Sequence, residues 1–145
     1  MNIREVTIED YEILLSWRND IETRRNSHNM DLVDENKHIE WLKKVIEDRN
    51  RQLYICEIDG YPVGTCRIDL DDNGIYELSW TIAPNYRGKG IGKKMVSMIV
   101  DNFEYKNIRA EVKKENIASK KICEYLNMYI DKEEDGVIHY KKNYQ

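Results

Sequence analysis

The stretch "NYRGKGIGKKM", Asn85–Met95, decides how this sequence is interpreted. It places glycines at the alternate positions 88, 90 and 92 among arginine and lysine side chains, after a β-rich segment and at the start of a helical one. Backbone N–H groups in such a loop, together with the positive end of the helix, can surround a pyrophosphate. Glycine allows the phosphates a close approach. The pattern therefore predicts a phosphate-binding loop.

Two common phosphate-binding motifs do not fit this stretch. A Walker A loop needs a glycine five positions before the Gly-Lys pair and a Ser or Thr after it, but Arg87 and Lys94 occupy those positions. A dinucleotide fingerprint needs a glycine where Lys93 stands, and it should open the first strand–helix unit of a parallel sheet. The spacing that does fit is Arg87-x-x-Gly90-x-Gly92.

Length and composition predict one soluble, cytoplasmic domain covering residues 1–145. A chain of 145 residues can bury one core and is too short for a second ordinary domain. No apolar run approaches the length of a membrane span, and the charged N-terminus lacks the apolar segment of a signal peptide. We therefore expect no membrane partner.

Charge and cysteine content exclude further classes. The formal net charge of -4 argues against a nucleic-acid partner, because phosphate contacts require a basic face. Cys56, Cys66 and Cys123 form neither a CxxC pair nor an even set, so we expect reduced thiols and no metal site. A homodimer stays open at this point.

Hydrophobic periodicity predicts the element order β-αα-ββ-β-α-β-α-ββ. The dipeptide Asp59-Gly60 joins two β-rich runs and suits a two-residue hairpin, since both central positions need positive φ. Two helices, one starting near Asp34 and one after the glycine loop, show apolar faces. The residues that mark these faces are Ile39, Leu42 and Ile46 in the first helix, and Ile91, Met95, Met98, Ile99 and Phe103 in the second. This order indicates an α/β (α+β) protein with a mixed sheet and helices on both faces.

Two blocks of the sequence resemble one known family. "ELSWTIAPNYRGKGIGKKMV" resembles the acetyl-CoA-binding motif of the GNAT family of N-acetyltransferases, in which a strand ends near a proline and an (R/Q)xxGx(G/A) loop binds the CoA pyrophosphate. "IRAEVKKENIASKKICEYLNMY" resembles the next strand and helix, although "YLNMY" replaces the usual "KLGF"-like ending. The resemblance covers the whole chain in element order and is specific between Glu77 and Leu126. It implies the GNAT fold, with a mostly antiparallel mixed sheet of about six to seven strands.

The resemblance also implies that acetyl-CoA is the cosubstrate. Twelve residues correspond to cofactor-binding positions: Trp80, Thr81, Ile82, Arg87, Gly88, Lys89, Gly90, Ile91, Gly92, Lys93, Asn116 and Ser119. The alternative interpretation of the loop is a helix cap beside a solvated basic face.

Acetyl transfer to an amine needs a base, an oxyanion donor and an acid for the departing thiolate. Glu77 stands where related enzymes carry the general base, which often acts through a water; the alternative is an ordinary strand carboxylate or salt-bridge partner. The oxyanion donor is expected to be a backbone N–H near Trp80 or Thr81. Cys123 occupies the position of a tyrosine that often serves as general acid, but it equally fits a core residue, with solvent supplying the proton.

The amino-terminal third is expected to bind the acceptor. "SWRNDIETRRNS", followed by "HIEWL", resembles more loosely a subgroup that acetylates amino sugars on nucleotide carriers. Trp17, Arg18, Arg24, His38 and Trp41 offer groups for a base, a diphosphate and sugar hydroxyls. Each also has a structural interpretation, as a packing tryptophan, a solvated arginine or a structural histidine.

We therefore expect an N-acetyltransferase acting on a primary amine of a small molecule, with a nucleotide-linked aminosugar favoured. Two alternatives stay open: a protein N-terminal acetyltransferase like those of ribosomal proteins, and a non-catalytic, CoA-binding regulatory domain. The charge of the acceptor cleft discriminates between the enzymes. A basic cleft suits a nucleotide sugar, and an acidic cleft suits a cationic peptide.

Overall fold

The computed structural model describes residues 1–102 and 105–143. It contains one seven-stranded sheet in the order β1-β2-β3-β4-β5-β7-β6. The strands are β1 (Asn2–Glu5), β2 (Arg51–Ile58), β3 (Tyr61–Leu70), β4 (Tyr76–Ile82), β5 (Ile108–Lys113), β6 (Tyr129–Glu134) and β7 (Val137–Lys142). The helices are α1 (Tyr11–Asn19), α2 (Ile21–Arg25), α3 (Glu35–Glu47), α4 (Ile91–Asn102) and α5 (Ile117–Tyr125), with 3-10 turns at Ile8–Asp10 and Pro84–Tyr86.

The sheet is antiparallel at every pairing except that of β4 with β5. This confirms the predicted mixed, mostly antiparallel sheet. The parallel pair is in register only at Tyr76 with Ile108 and at Glu77 with Arg109. Beyond these residues the two strands diverge, and no described residue forms a ladder with the edge of β4 that faces β5.

The Asp59-Gly60 hairpin between β2 and β3 is confirmed. Asp59 has φ 53° and Gly60 has φ 81°, so both central residues adopt the left-handed conformation that a two-residue turn requires. The same turn geometry recurs between β6 and β7, where Asp135 has φ 54° and Gly136 has φ 78°.

Helices cover both faces of the sheet, as predicted. Successive side chains of a strand point to opposite faces. One face of the neighbouring strands β2, β3, β4, β5 and β7 packs against α4 and α5 in the larger core, around Met95, Ile99 and Ile122. The other face packs against α1 and α3 in a smaller core, around Leu42 and Ile55. This second face is apolar beneath the helices and becomes polar toward β4, β5 and β7.

The buried face of α3 is rotated slightly around the helix axis from the face that the sequence predicted. The helix buries His38, Leu42 and Val45, whereas Ile46 is exposed. Leu42 and Val45 lie in the smaller core with residues of α1 and β2, which fixes the helix in this orientation. Asp34 caps α3 by accepting a hydrogen bond from the Lys37 N–H.

The apolar face of α4 follows the prediction. Ile91, Met95 and Ile99 are buried in the larger core. Phe103, which the pattern assigned to the same face, lies outside the described residues. No helix in residues 1–102 and 105–143 is long and apolar enough to cross a membrane.

Candidate active site

A cleft of about 1070 Å³ opens where β4 and β5 diverge. Its cofactor half is formed by the loop after β4 and by the first turns of α4 and α5. Its other half, which we call the acceptor wall, is formed by cleft-lining residues of α1, α3 and β3. The cleft lining includes most of the residues selected from the sequence: Trp17, Arg18, His38, Trp41, Trp80, Thr81, Ile82, Arg87, Gly88, Gly90, Ile91, Gly92, Lys93, Asn116 and Ser119. It does not include Arg24, Glu77, Lys89 or Cys123.

The loop between β4 and α4 exposes a series of backbone N–H groups. Gly88 and Gly90 each have φ 76°, and the first bond of α4 runs from the Lys94 N–H to the Gly90 carbonyl at 3.3 Å. Among the described residues, no N–H group from Gly88 to Lys93 has a hydrogen-bond acceptor. Free N–H groups at the positive end of a helix are donors suited to a pyrophosphate. The loop therefore fits the phosphates of acetyl-CoA.

Gly92 has a different role from Gly90, because it lies inside the helix. A Cβ added at Gly92 would lie 2.7 Å from Cδ1 of Ile122, whereas one added at Gly90 would meet no atom within 4 Å. Gly92 is thus needed for the close packing of α4 against α5. Gly90 is needed for its positive φ.

Arg87 does not extend freely toward the cleft. Its guanidinium donates to Asp20 Oδ2 at 2.6 Å, to Glu22 Oε2 at 2.7 Å and to Thr23 Oγ1 at 3.1 Å. These contacts connect the cofactor loop to the first turn of α2. The sequence pattern assigned Arg87 to the pyrophosphate, and the structure shows that its side chain binds an acidic helix start.

The first turn of α5 borders the gap between the diverging strands. Asn116 caps the helix by accepting a hydrogen bond from the Ser119 N–H at 3.2 Å. The Trp80 indole donates from Nε1 to Ser119 Oγ at 3.0 Å and so links β4 to α5. Lys93 Nζ lies 5.9 Å from the ring centroid of Tyr125, and Lys89 contacts Tyr86 in the same way.

Two carboxylates lie side by side on the polar face of the sheet. Glu77, on β4, is half-buried and does not line the cleft. It is paired across the sheet with Arg109 of β5, and Glu111, two residues further along β5, lines the cleft. Burial raises the pKa of Glu77, a hydrogen bond with Glu111 raises it further, and the Arg109 charge opposes both effects. Arg109 Nη2 lies 3.4 Å from Glu77 Oε2, and His139 Nδ1 lies 3.7 Å from Glu111 Oε1.

Glu111 was missed in the analysis of the sequence. The signal was present, because period-two alternation in "IRAEVK" places Glu111 on the face opposite Ile108, Ala110 and Val112. Its proximity to Glu77 depends on which strands are neighbours, which alternation does not reveal.

Cys123 lies in the larger core and is 0% exposed. Burial raises the pKa of its thiol to about 12. A thiol that does not reach the cleft and holds its proton this tightly is poorly placed to protonate a leaving thiolate. The packing interpretation fits this position, and the general-acid hypothesis does not.

The two tryptophans of the acceptor wall differ in exposure. Trp17 is 3% exposed and packs in the smaller core, so it supports the wall and offers little surface for stacking. Trp41 is half-buried and lies between two cleft-lining side chains. Its ring is stacked on His38 at 5.7 Å between centroids, and the guanidinium of Arg67 lies 5.6 Å from the Trp41 ring centroid.

The arginines of the amino-terminal segment organise a loop. Arg18 Nη2 donates to the Asn29 carbonyl at 2.6 Å, and Arg24 Nε donates to the Met30 carbonyl at 3.0 Å. Only Arg18 of these two lines the cleft. Arg67, a cleft-lining residue of β3, was missed in the sequence because a single arginine in a strand carries no motif. Within the described ranges, no group of three or more His, Cys, Asp or Glu side chains is arranged to hold a metal ion.

Known proteins resemble this chain in sequence and in fold. A family model described as an acetyltransferase (GNAT) domain matches residues 1–128. An uncharacterized N-acetyltransferase p20 from Bacillus licheniformis is 22% identical over an alignment of 138 positions that covers 88% of this chain and 78% of that protein.

Two solved structures share the fold over almost the whole chain. Spermidine N-acetyltransferase from Vibrio cholerae, in complex with CoA and spermine, superposes with a TM-score of 0.83 at 14% identity, covering 97% of this chain and 92% of the other. Ribosomal-protein-alanine N-acetyltransferase from Brucella melitensis has a TM-score of 0.80 at 21% identity, with coverages of 99% and 100%. At these identities the two structures show a common fold.

Proposed function

The chain belongs to the GNAT acetyltransferase family and is an acetyl-CoA-dependent N-acetyltransferase, and we propose that its acceptor is the primary amine of a small molecule, with a nucleotide-linked aminosugar favoured. The observation that carries this proposal is the cleft at the β4–β5 divergence. It joins a loop of free N–H groups, a carboxylate at the sheet surface and a basic acceptor wall.

The cofactor half would hold acetyl-CoA through its backbone. The N–H groups from Gly88 to Lys93 would bind the pyrophosphate at the start of α4. Ser119 and Asn116 lie beside the gap through which the thioester would reach the polar face of the sheet. Bound acetyl-CoA supplies an activated acyl carbon and a thiolate leaving group.

The carboxylates Glu77 and Glu111 would accept the proton of the acceptor amine. An amine arrives as an ammonium and must lose a proton before its nitrogen can bond to the thioester carbon. Glu111 faces the cleft and Glu77 lies behind it within hydrogen-bonding range, so we assign the base to Glu77 acting through Glu111 or a water. The raised pKa of Glu77 suits this role, because a base works best when its pKa lies near the operating pH.

The remaining steps need an oxyanion donor and a proton for the thiolate. The unpaired edge of β4 beyond Glu77 offers backbone N–H groups near Trp80 and Thr81 for the developing oxyanion. As the carbon–sulfur bond breaks, solvent protonates the thiolate. Cys123 has no part in this step because it does not line the cleft.

The charge of the cleft favours an anionic acceptor. Arg18, His28, Lys37 and Arg67 line the acceptor half. The cleft-lining Glu22 is paired with Arg87, and Arg67 is paired with Asp69, so Arg18 and Lys37 are the cations of this set without an ion pair to a described carboxylate. An electropositive cleft attracts a nucleotide sugar and repels a cationic peptide or polyamine. This feature favours the aminosugar over the alternative acceptor, a protein amino terminus.

The decisive experiment is an acceptor screen with labelled acetyl-CoA. The protein is incubated with aminosugar nucleotides, peptides with free amino termini and polyamines, and each product is identified by mass spectrometry. We expect an aminosugar nucleotide to be acetylated, with UDP or dTDP inhibiting competitively against it. Efficient acetylation of a peptide with no competition by either nucleotide would establish the protein acceptor. Binding of acetyl-CoA without transfer to any amine would indicate the regulatory domain.

A further inference from the structure

Two buried polar atoms of the acceptor wall have no hydrogen-bond partner among the described residues. They are Nη1 of Arg18, on α1, and Nε2 of His38, on α3. Both side chains line the cleft, and His38 is only 4% exposed. Buried polar groups are nearly always hydrogen-bonded, so two orphaned atoms on side chains that line one cleft point to a partner that a bound ligand could supply.

The Arg18 guanidinium is fixed and its charge is uncompensated. Its Nη2 donates to the Asn29 carbonyl, which holds the group in place, and its buried Nη1 has no acceptor among the described residues. Burial lowers the pKa of Arg18, and the nearby charges of Arg24 and Arg67 lower it further. No carboxylate forms an ion pair with Arg18 in the part of the chain that the structure describes. An anion at this position would relieve the repulsion.

Arg67 adds a second guanidinium to the same wall. Its Nε is bound to Asp69 Oδ2 at 2.9 Å, and its remaining nitrogens have no hydrogen bond to any described residue. The planar group is held over the Trp41 ring, which itself stacks on His38. Guanidinium groups fixed in this way are suited to bind phosphate or carboxylate oxygens through paired N–H groups.

His38 supplies an acceptor beside these donors. Burial lowers the pKa of its imidazole, a hydrogen bond to the Tyr11 backbone raises it, and the Arg18 charge lowers it. The neutral ring then uses the N–H of Nδ1 toward Tyr11, an assignment that follows from Nε2 having no partner. Nε2 carries the lone pair and can accept a hydrogen bond from a hydroxyl group.

We propose that Arg18 and Arg67 bind an anionic group of the acceptor, a phosphate or a carboxylate, and that His38 binds an adjacent hydroxyl. This inference rests on the proposed function of the cleft and specifies the acceptor as an anionic, hydroxylated amine. The anion lies at the acceptor wall, away from the carboxylates, so the amine can extend toward Glu111. Binding at a distance from the reacting group positions that group for attack.

The test measures anion binding by calorimetry with the cofactor half already occupied. The protein is saturated with CoA, so that added pyrophosphate cannot occupy the loop from Gly88 to Lys93, and is then titrated with pyrophosphate or malonate. We expect binding in the millimolar range or tighter, and about tenfold or greater loss in Arg18→Gln and Arg67→Gln, since a charge-assisted hydrogen bond typically carries that much affinity. The matched control is Arg49→Gln, which removes the charge of an exposed arginine that does not line the cleft. It should bind pyrophosphate as the wild type does.

The outcomes separate this inference from the proposed function. Unchanged CoA affinity shows that each variant is folded, and Arg18→Lys, which keeps the charge, should recover part of the pyrophosphate affinity. Stronger binding of pyrophosphate than of malonate identifies a phosphate, and the reverse identifies a carboxylate. No binding of either anion, or equal binding by the wild type and both glutamine variants, overturns the subsite even if a neutral amine is acetylated. Anion binding without any acetyl transfer would leave the subsite standing and overturn the proposed acceptor function.

Discussion

The two halves of the cleft are built from different parts of the chain and by different means. The cofactor half uses backbone N–H groups from the single loop between β4 and α4, where glycines with positive φ set the direction of the donors. The acceptor wall uses side chains from three separate elements, among them Arg18, His38 and Arg67. Every residue except proline has a backbone N–H, so the first half depends mainly on conformation and the second on side-chain identity. Substitutions in the cofactor half should therefore change the affinity for acetyl-CoA, and substitutions in the acceptor wall should change the KM of the acceptor.

The carboxylates between the halves should give the largest effect. Glu77→Gln is expected to lower kcat by about a hundredfold or more, because general base catalysis typically contributes that factor. The affinities for acetyl-CoA and for the acceptor should change little, since Glu77 does not line the cleft. Steady-state kinetics and calorimetry measure these quantities. Full activity would assign the base elsewhere, and a loss confined to Glu111→Gln would assign it to Glu111.

The pH dependence of kcat should report the environment of Glu77. The base must be deprotonated, so activity falls as the pH falls through the pKa of Glu77, which burial and Glu111 raise. Replacing Glu111 with alanine should move this acidic limb to lower pH. Replacing Arg109 with glutamine should move it to higher pH, because the Arg109 charge lowers the pKa. A limb that stays in place in both variants would show that another group controls it.

Gly90→Val tests whether the backbone conformation of the loop after β4 determines the binding of acetyl-CoA. A side chain at φ 76° is strained, and relaxation of the backbone would turn the loop N–H groups away from the pyrophosphate. We expect the acetyl-CoA affinity to fall by about tenfold or more, the equivalent of one to two lost charge-assisted hydrogen bonds. Gly74→Val is the matched control, since Gly74 has φ 78° with nothing within 4 Å and does not line the cleft. Equal acetyl-CoA affinity in both variants would mean that the loop does not bind the cofactor.

Arg87 tests whether the two halves are independent. Its contacts with Asp20 and Glu22 attach α2 to the cofactor loop, so Arg87→Ala should raise the acceptor KM several-fold, as expected for the loss of partly exposed ion pairs. Asp20→Asn removes one partner and keeps an N-cap residue, and it should give a smaller change in the same constant. If Arg87 instead binds the pyrophosphate, Arg87→Ala will raise the KM of acetyl-CoA and Asp20→Asn will not.

Cys123→Ala should give the smallest effect on activity. The thiol is buried in the larger core, so we expect kcat to change by less than about threefold, well below the contribution of a general acid. The loss should appear in thermal stability instead, at about 1 kcal/mol for the deleted core atom. A hundredfold fall in kcat at unchanged stability would restore the general-acid hypothesis.

Much of the cofactor half could be predicted from the sequence because it is local. The glycines, the preceding strand and the following helix occupy one continuous stretch, and a short loop needs few distant contacts to fix its backbone. The same holds for the Asp59-Gly60 hairpin, whose turn conformation is set by the two central residues. The roles within the stretch were less well predicted, since Gly92 packs against Ile122, far along the chain.

The sequence by itself determined the order of the strands, the family and the glycine loop, since each depends on the spacing of residues along the chain. The predicted order of the elements was wrong at one point, because three helices, α1, α2 and α3, lie between β1 and β2 where two were expected. Only the tertiary structure decided that Glu111 joins Glu77, that Arg87 binds the start of α2 and that Arg18 faces the cleft beside Arg67. These contacts join residues 34 to 67 positions apart or belong to different elements. These contacts depend on the order of the strands in the sheet and on the rotation of the helices about their axes. Both are set by the packing of the whole core, which the hydrophobic periodicity and the secondary-structure propensity of a segment do not encode.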